Sequence, residues 1–136
     1  MAFYNLYFLI FFLLLINSAT PTDRILPIKI TIDNQMAGPL TAHCRVVGMS
    51  IITEIGTRTL KPKSTWEFID NFNVDRRSGR AECDMSAGSK KGHFNVYNFF
   101  RDFDHCPVND SGCNWSVRSD GLYLFYNSKY NLIYPW

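Results

Sequence analysis

The sequence predicts an all-β protein, an antiparallel β-sandwich of about seven or eight short strands held by two disulfides. Three observations lead to this prediction. Apolar and polar residues alternate with the two-residue period of strands, turn-forming residues separate the runs, and four cysteines follow an apolar leader. A small exported domain with an even number of cysteines is typically stabilised by disulfides.

The chain begins with an apolar leader. Residues 6–16 are continuously apolar, and the small residues Ser18 and Ala19 follow. About ten apolar residues are too few for a helix that spans a bilayer, which takes about twenty. We therefore expect residues 1–19 to be a cleaved signal peptide, with cleavage after Ala19 or Thr20; an uncleaved anchor is the alternative. Residues 20–136 would then form one secreted, extracellular domain without membrane insertion.

Each predicted strand has one apolar face, on which every second residue is expected to point into the core. The predicted inward positions are Ile28, Ile30, Ile32, Leu40, Ala42, Cys44, Val46, Trp66, Phe68, Ala81, Cys83, Met85, Phe94, Val96, Trp115 and Val117. Residues 122–126 are dense in strand-forming residues and predict a further strand. The apolar segment 130–136 is unusual for a free tail, so we expect it to pack as a last strand or strap.

Turn-forming residues lie between these runs. They are Asn34, Gly38 with Pro39, Pro62, Ser78 with Gly79, Gly88, and Asp120 with Gly121. The last pair is the most specific, because a two-residue type I′ turn needs positive φ at both central positions, which Asp tolerates and Gly prefers. It predicts a hairpin that joins the strand from Cys113 to the strand from Leu122.

The four cysteines allow three disulfide pairings. We favour Cys44–Cys113 with Cys83–Cys106, because Cys44 and Cys113 both lie on apolar faces of predicted strands. The main alternative pairs Cys106 with Cys113, whose connecting loop is short but closable. A zinc site is less consistent with the sequence, since no two cysteines have Cys-x-x-Cys spacing, and we predict no metal and no cofactor.

Two N-glycosylation sequons begin at Asn109 and Asn114. Asn109 lies in a predicted loop and is the better acceptor. Asn114 faces solvent if Trp115 faces inward, but the bulky Trp115 side chain and the neighbouring bridge would hinder a glycosyltransferase.

The composition and the histidines argue against nucleic-acid binding and catalysis. A formal charge of +2 is too small to indicate a nucleic-acid partner. His43 and His93 fall on polar faces of predicted strands, while His105 and Asp102 could imitate the acid pair of a hydrolase. We interpret them as solvated loop residues. Without a nucleophile elbow or a phosphate-binding glycine loop, the sequence predicts no enzyme.

The sequence resembles the plant self-incompatibility S-protein homologues over essentially the whole mature chain. The residues that carry the resemblance are Ile30 to Asn34, His43 with Cys44, Ile55 with Gly56, Trp66 to Phe68, Cys83, His93 to Tyr97, Arg101 with Asp102, Cys106, Cys113 to Trp115, and Gly121 to Tyr123. The ending from Cys106 to Tyr123 is the most specific part. One departure is that the family usually carries an acidic run after His43 and Cys44, whereas residues 45–52 are mostly apolar here.

The resemblance implies a secreted plant β-sandwich that acts as a signalling ligand and is recognised by a cell-surface receptor. In the best-understood members, the ligand is secreted by the pistil and leads to rejection of self pollen. We expect a monomer that contacts its receptor through loops at one end of the sandwich. Residues 101–112 are favoured, because this loop is polar, long and closed by a bridge. The candidate contact residues are Arg101, Asp102, Asp104, His105, Asn109 and Asp110.

The alternative function is a secreted carbohydrate-binding β-sandwich module. Such modules stack sugars on exposed aromatic side chains, although aromatic residues in strands are more often part of the core. The candidate stacking residues are Tyr97, Phe99, Phe100, Tyr123, Tyr126, Tyr130, Tyr134 and Trp136.

Overall fold

The computed structural model describes residues 24–73, 79–107 and 111–136. The predicted signal peptide, the turn residue Ser78 and two of the candidate contact residues, Asn109 and Asp110, lie outside the described residues. Within them the chain forms nine strands and one short helix. These are β1 (Ile25–Asn34), β2 (Leu40–Val47), β3 (Ile52–Leu60), β4 (Thr65–Asn73), β5 (Arg80–Ala87), β6 (Lys90–Asn98), α1 (Phe99–Asp102), β7 (Cys113–Arg118), β8 (Gly121–Tyr126) and β9 (Lys129–Pro135). No helix of the described part has the length and apolar character needed to cross a membrane.

The strands form two sheets. The five-stranded sheet has the order β4-β1-β7-β8-β9 and the four-stranded sheet the order β3-β2-β5-β6. The predicted all-β sandwich fold is confirmed. The pairing of β1 with β7 is parallel, however, whereas the other pairings are antiparallel. Between β1 and β7 the chain builds the whole second sheet, and a crossover of that length allows two neighbouring strands to run in the same direction.

The core contains the predicted inward faces. Trp66 and Phe68 are half-buried against it, and the other predicted inward positions are buried, with Trp115 at 0% exposure. The expected last strand is also confirmed, since β9 pairs with β8. The sequence pattern missed β3, an edge strand whose only buried residue is Leu60. A strand with so little burial needs no apolar alternation, so it leaves no periodic signal.

The turn prediction at Asp120 and Gly121 is off by one residue. Arg118 pairs with Gly121, so the two loop residues between β7 and β8 are Ser119 and Asp120. A Cβ atom on Gly121 would lie 2.2 Å from the carbonyl oxygen of Tyr134, and glycine is therefore needed here for the close approach of β9. The turn with positive φ at both central residues joins β8 to β9, at Asn127 (φ 52) and Ser128 (φ 63).

The favoured disulfide pairing, Cys44–Cys113 with Cys83–Cys106, is wrong. The structure contains Cys44–Cys83 and Cys106–Cys113. Cys44 and Cys83 lie opposite each other on the paired strands β2 and β5, with their Cα atoms 4.1 Å apart. Cys113 lies on β7 in the other sheet. An apolar face shows that a cysteine points into the core, but not which sheet it comes from.

The side chain of Asn34 links the end of β1 to β3 of the other sheet by hydrogen bonds. Its buried side-chain amide donates to the carbonyl oxygens of Leu60 (2.9 Å) and Gly38 (3.0 Å), and its Oδ1 accepts from the backbone N–H of Met36 (2.9 Å). Asn34, which the sequence indicates as a turn residue, therefore has a buried side-chain amide that is fully hydrogen-bonded. It joins the β1–β2 connection to the last residue of β3.

The disulfide pairing can be tested by peptide mapping. After tryptic digestion without reduction, we expect peptide 102–118 to carry an internal bridge between Cys106 and Cys113, lighter by two hydrogens than its reduced form. Peptide 30–45 should be linked to peptide 81–90 through Cys44 and Cys83. A link from peptide 102–118 to either of the other two would contradict the structure.

Candidate functional site

The loop between β6 and β7 opens with the short helix α1, and its first residues form a closed hydrogen-bonded turn. The Oδ1 of Asn98 accepts from the backbone N–H of Phe100 (3.1 Å), and the carboxylate of Asp102 accepts from the backbone N–H of Asn98 (2.7 Å). The backbone N–H groups of His105 and Cys106 donate to the Asp102 carbonyl oxygen, at 2.9 and 2.8 Å. Asp102 therefore organises the loop through both its side chain and its backbone.

Arg101 and Asp102 form a buried ion pair. Asp102 is 0% exposed, and its two carboxylate oxygens accept from Nε and Nη2 of Arg101, both at 2.6 Å. Both residues were predicted to contact a receptor. Their charged groups are instead directed at each other, because an unpaired carboxylate inside the protein would carry a large desolvation cost.

The guanidinium of Arg101 also joins three strands. It donates to the carbonyl oxygen of Asn95 on β6 (2.7 Å) and to the hydroxyl of Tyr134 on β9, and it lies 5.3 Å from the centre of the Trp115 ring on β7. Burial opposes the charge on Arg101, but its hydrogen bonds to Asp102 outweigh burial, so the pKa of Arg101 is raised. The ion pair therefore connects the loop to both sheets.

Two aromatic side chains of α1 and of the turn that follows it are exposed. Phe100 is 77% exposed and Phe103 40% exposed, and the ring of Phe99 lies against both, with centroid distances of 5.7 and 4.9 Å. Asp104, which is a predicted contact residue, is also exposed. The sequence reasoning did not identify Phe103. Its position between Asp102 and Asp104, outside any apolar alternation, was the available signal that it does not belong to a core strand.

His105 lies at the edge of this surface. It is half-buried, and its ring packs edge-on against the ring of Tyr126, with the centroids 4.3 Å apart. The carboxylate of Asp102 accepts its hydrogen bonds from Arg101 and Asn98, and the Nδ1 of His105 has no hydrogen-bond partner among the described residues. The hydrolase-like pair of His105 and Asp102 is therefore not formed.

The turn between β2 and β3 lies at the same end of the molecule. Val47 pairs with Arg80, and Arg80 pairs with Asn98, so the end of β2 and the start of α1 belong to one end of the four-stranded sheet. Met49 is 72% and Ile51 69% exposed in this turn. These two residues belong to the segment that is apolar where the S-protein homologues are usually acidic. We call the exposed side chains of Met49, Ile51, Phe100, Phe103 and Asp104 the apical surface.

The outer face of the four-stranded sheet carries the other two histidines, as the sequence predicts. Nδ1 and Nε2 of His93 lie 2.6 Å from Asp84 and 3.3 Å from Glu82, and Arg45 contacts the same two carboxylates. His43 lies 2.9 Å from Glu54. No group of three or more potential metal ligands is present in the described part of the chain.

These contacts shift the pKa values of the histidine and its partners. The hydrogen bond with Asp84 raises the pKa of His93 above its ordinary value of 6.5, and the same hydrogen bond lowers the pKa of Asp84. Burial favours a higher pKa for Glu82, but its hydrogen bonds from Arg45 and Arg80 outweigh burial and lower the pKa. The network is therefore most favourable when His93 is charged and both carboxylates are ionised.

Most of the predicted stacking residues do not form an exposed platform. Tyr97 is 1% exposed, and Tyr126, Tyr134 and Trp136 pack against the core. Phe99 is half-buried beneath the apical surface. Tyr123 and Tyr130 remain on the outer face of the five-stranded sheet. They lie beside Arg118, whose guanidinium is 4.4 and 4.9 Å from the two ring centres.

The second sequon lies on the same outer face. Asn114 is half-buried on β7, while Trp115 points into the core, as expected. The hydroxyl of Ser116 is covered by Arg118, whose Nε donates to it at 3.1 Å.

Two comparisons identify proteins similar to this chain. Residues 29–136 match the family described as plant self-incompatibility protein S1. S-protein homolog 2 from Arabidopsis thaliana is 29% identical over 126 residues, which cover 88% of this chain and 73% of the relative.

Substitutions of two aspartates in the same loop test how much the buried ion pair stabilises the fold. Asp102→Ala should lower the free energy of unfolding by about 3 kcal/mol, because Arg101 loses its buried counter-charge and the backbone N–H of Asn98 loses its acceptor. Asp104→Ala should change it by less than about 0.5 kcal/mol, because Asp104 is exposed. Urea unfolding of both variants measures the difference. Equal losses would show that the pair does not stabilise the fold.

The His93 network predicts a pH-dependent stability. Since the pKa of His93 is raised in the folded state, its stabilising contribution is complete below about pH 6.5 and is lost as the pH rises through the raised pKa. Because the side chains of His93 and Asp84 are about half exposed, solvent screens their interaction. His93→Gln should therefore cost at most about 1 kcal/mol near pH 5.5, and this cost should fall as the pH rises through the raised pKa. Unfolding free energies of both proteins across this range measure the effect, and a cost that grows with pH would contradict it.

Proposed function

The chain belongs to the plant self-incompatibility protein S1 family, and from this membership we propose that it is a secreted signalling ligand recognised by a cell-surface receptor through its apical surface. The proposal includes export by the leader 1–19, removal of that leader, and action as a monomer outside the cell. Rejection of self pollen is the narrower role that such a ligand would serve.

The observation that carries the proposal is the contrast between the base and the surface of the β6–β7 loop. At the base lie the ion pair of Arg101 with Asp102 and the bridge Cys106–Cys113. At the surface, Phe100 leaves 77% of its side chain in water. Exposed aromatic side chains on a pre-organised loop are typical anchors of protein interfaces, because little conformational entropy is lost when they bind.

The β2–β3 turn contributes further exposed apolar residues to the apical surface. Met49 and Ile51 are as exposed as Phe100 and lie at the same end of the sandwich. Several large exposed apolar residues at one end of a domain are typical of interaction sites. Because the family is usually acidic at this turn, an apolar turn would give this chain its own receptor specificity.

The predictions that concern residues outside the described part of the chain belong to the same proposal. We propose that Asn109 and Asp110, which belong to the same predicted loop in the sequence, also contribute to receptor contact, and that Asn109 carries a glycan. We propose that Asp104 and His105 contact the receptor at the rim. Arg101 and Asp102 are assigned to the scaffold instead.

Receptor recognition can be tested with a calcium reporter in candidate target cells, including pollen tubes. The refolded protein, residues 20–136 with both bridges formed, should raise cytosolic calcium within minutes in one cell type. Phe100→Ser combined with Met49→Ser should raise the half-maximal concentration about tenfold or more, because each substitution removes an apolar anchor worth more than about 1 kcal/mol.

The matched control is Leu132→Ser, which removes an exposed apolar side chain from β9, away from the apical surface. Leu132 is 47% exposed. This variant should signal like the unchanged protein. An unchanged response from the Phe100 and Met49 double variant would rule out the apical surface as the contact site, and silence in every cell type would contradict the ligand function itself.

A further inference from the structure

An open polar hollow of about 650 Å³ lies on the outer face of the five-stranded sheet. It is built where β1 ends at Asp33 and Asn34 and where β7 ends at Arg118. The loop that bears Phe100 enters β7 at its other end, Cys113, so the hollow and the apical surface lie at opposite ends of the sandwich. The hollow is therefore separate from the proposed receptor contact.

Arg118 is held in a fixed orientation within this hollow. Its guanidinium lies 4.4 Å from the ring centre of Tyr123 and 4.9 Å from that of Tyr130, and its Nε donates to the hydroxyl of Ser116 (3.1 Å). These contacts leave its two terminal amino groups without an acceptor among the described residues. A planar guanidinium with a free edge is suited to binding a carboxylate with two parallel hydrogen bonds.

Two acids line the hollow, yet neither is paired with Arg118 in the described structure. The carboxylate of Asp120 accepts from the hydroxyl of Tyr123, and that of Asp33 accepts from the side chain of Gln35 (2.6 Å) and from the hydroxyl of Thr65 (3.3 Å). Neutral donors therefore partner both carboxylates, and each carboxylate keeps lone pairs for a further donor. The hollow thus keeps one arginine available for an external anion beside two carboxylates that can still accept hydrogen bonds.

This combination determines the chemical class of the ligand. A polyanion would be repelled by Asp33 and Asp120, whereas a ligand with one carboxylate and several hydroxyl groups would satisfy all three charged groups. Tyrosine rings beside the guanidinium provide flat apolar contact for the C–H face of a sugar ring. We propose that this hollow binds a sugar acid, with the carboxylate of a hexuronic acid on Arg118 and neighbouring hydroxyls on Asp33 and Asp120.

The proposal can be tested by calorimetric titration of the disulfide-bonded protein. The probes are the methyl glycosides of galacturonic acid and of glucuronic acid, which carry one carboxylate each, with the methyl ester of the former and the methyl glycoside of galactose as neutral matched sugars. At least one uronic acid should bind about tenfold or more tightly than the neutral probes, because hydrogen bonds to charged groups contribute more than about 1.4 kcal/mol.

Variants at Arg118 identify the site. Arg118→Gln should weaken uronic acid binding about tenfold or more, and Arg118→Lys should weaken it less, because it keeps the charge but not the planar pair of donors. Arg58→Gln removes an exposed arginine from the opposite sheet and should leave binding unchanged. Urea unfolding of each variant verifies that it is folded.

Three outcomes would overturn the proposal. They are an absence of uronic acid binding by the folded protein, binding that is equally strong in Arg118→Gln, and stronger binding of a short acidic peptide than of either uronic acid. The last result would assign the hollow to a protein partner. None of them bears on the calcium response, so this proposal and the proposed receptor recognition fail independently.

Discussion

The structure depends on the need to pair one buried carboxylate. Asp102 is fully buried, and Arg101 next to it supplies the counter-charge, with both carboxylate oxygens 2.6 Å from guanidinium nitrogens. Because Arg101 also reaches Asn95 and Tyr134, pairing this charge brings β6 and β9 together over the ring of Trp115. One electrostatic requirement thereby fixes the loop, the last strand and the contact between the sheets.

This requirement separates scaffold from surface within a single loop. Arg101 and Asp102 turn inward, and the disulfide Cys106–Cys113 closes the chain on the other side. Phe100 and Phe103, which flank this pair in the sequence, are exposed because the inward space is already filled. At the opposite end of the sandwich, Arg118 on β7 stacks on two tyrosine rings and forms no ion pair with any described acid. One end of the sandwich is therefore suited to apolar recognition and the other to ionic recognition.

The sequence predicts the layers of this fold better than its connections. Period-two alternation depends on burial alone, so it identified the inward faces of β1, β2 and β5 correctly. Partner choice depends on which strands become neighbours, and Cys113 was therefore assigned to Cys44 although they lie in different sheets. At the candidate site, the sequence correctly placed Asp102 and Asp104 in one loop but did not show where their side chains point. Only the fold shows that Asp102 is buried and that Asp104 is exposed.

Amide hydrogen exchange tests most directly whether the paired carboxylate holds the loop to the sheets. The N–H groups of Asn98, His105 and Cys106 donate to Asp102. If the pair is the constraint proposed here, these amides exchange as slowly as that of Ile32, a core residue of β1 that is paired with strands on both sides, through global unfolding. Exchange within seconds at neutral pH, with Ile32 still protected, would show that the loop opens on its own and would contradict it.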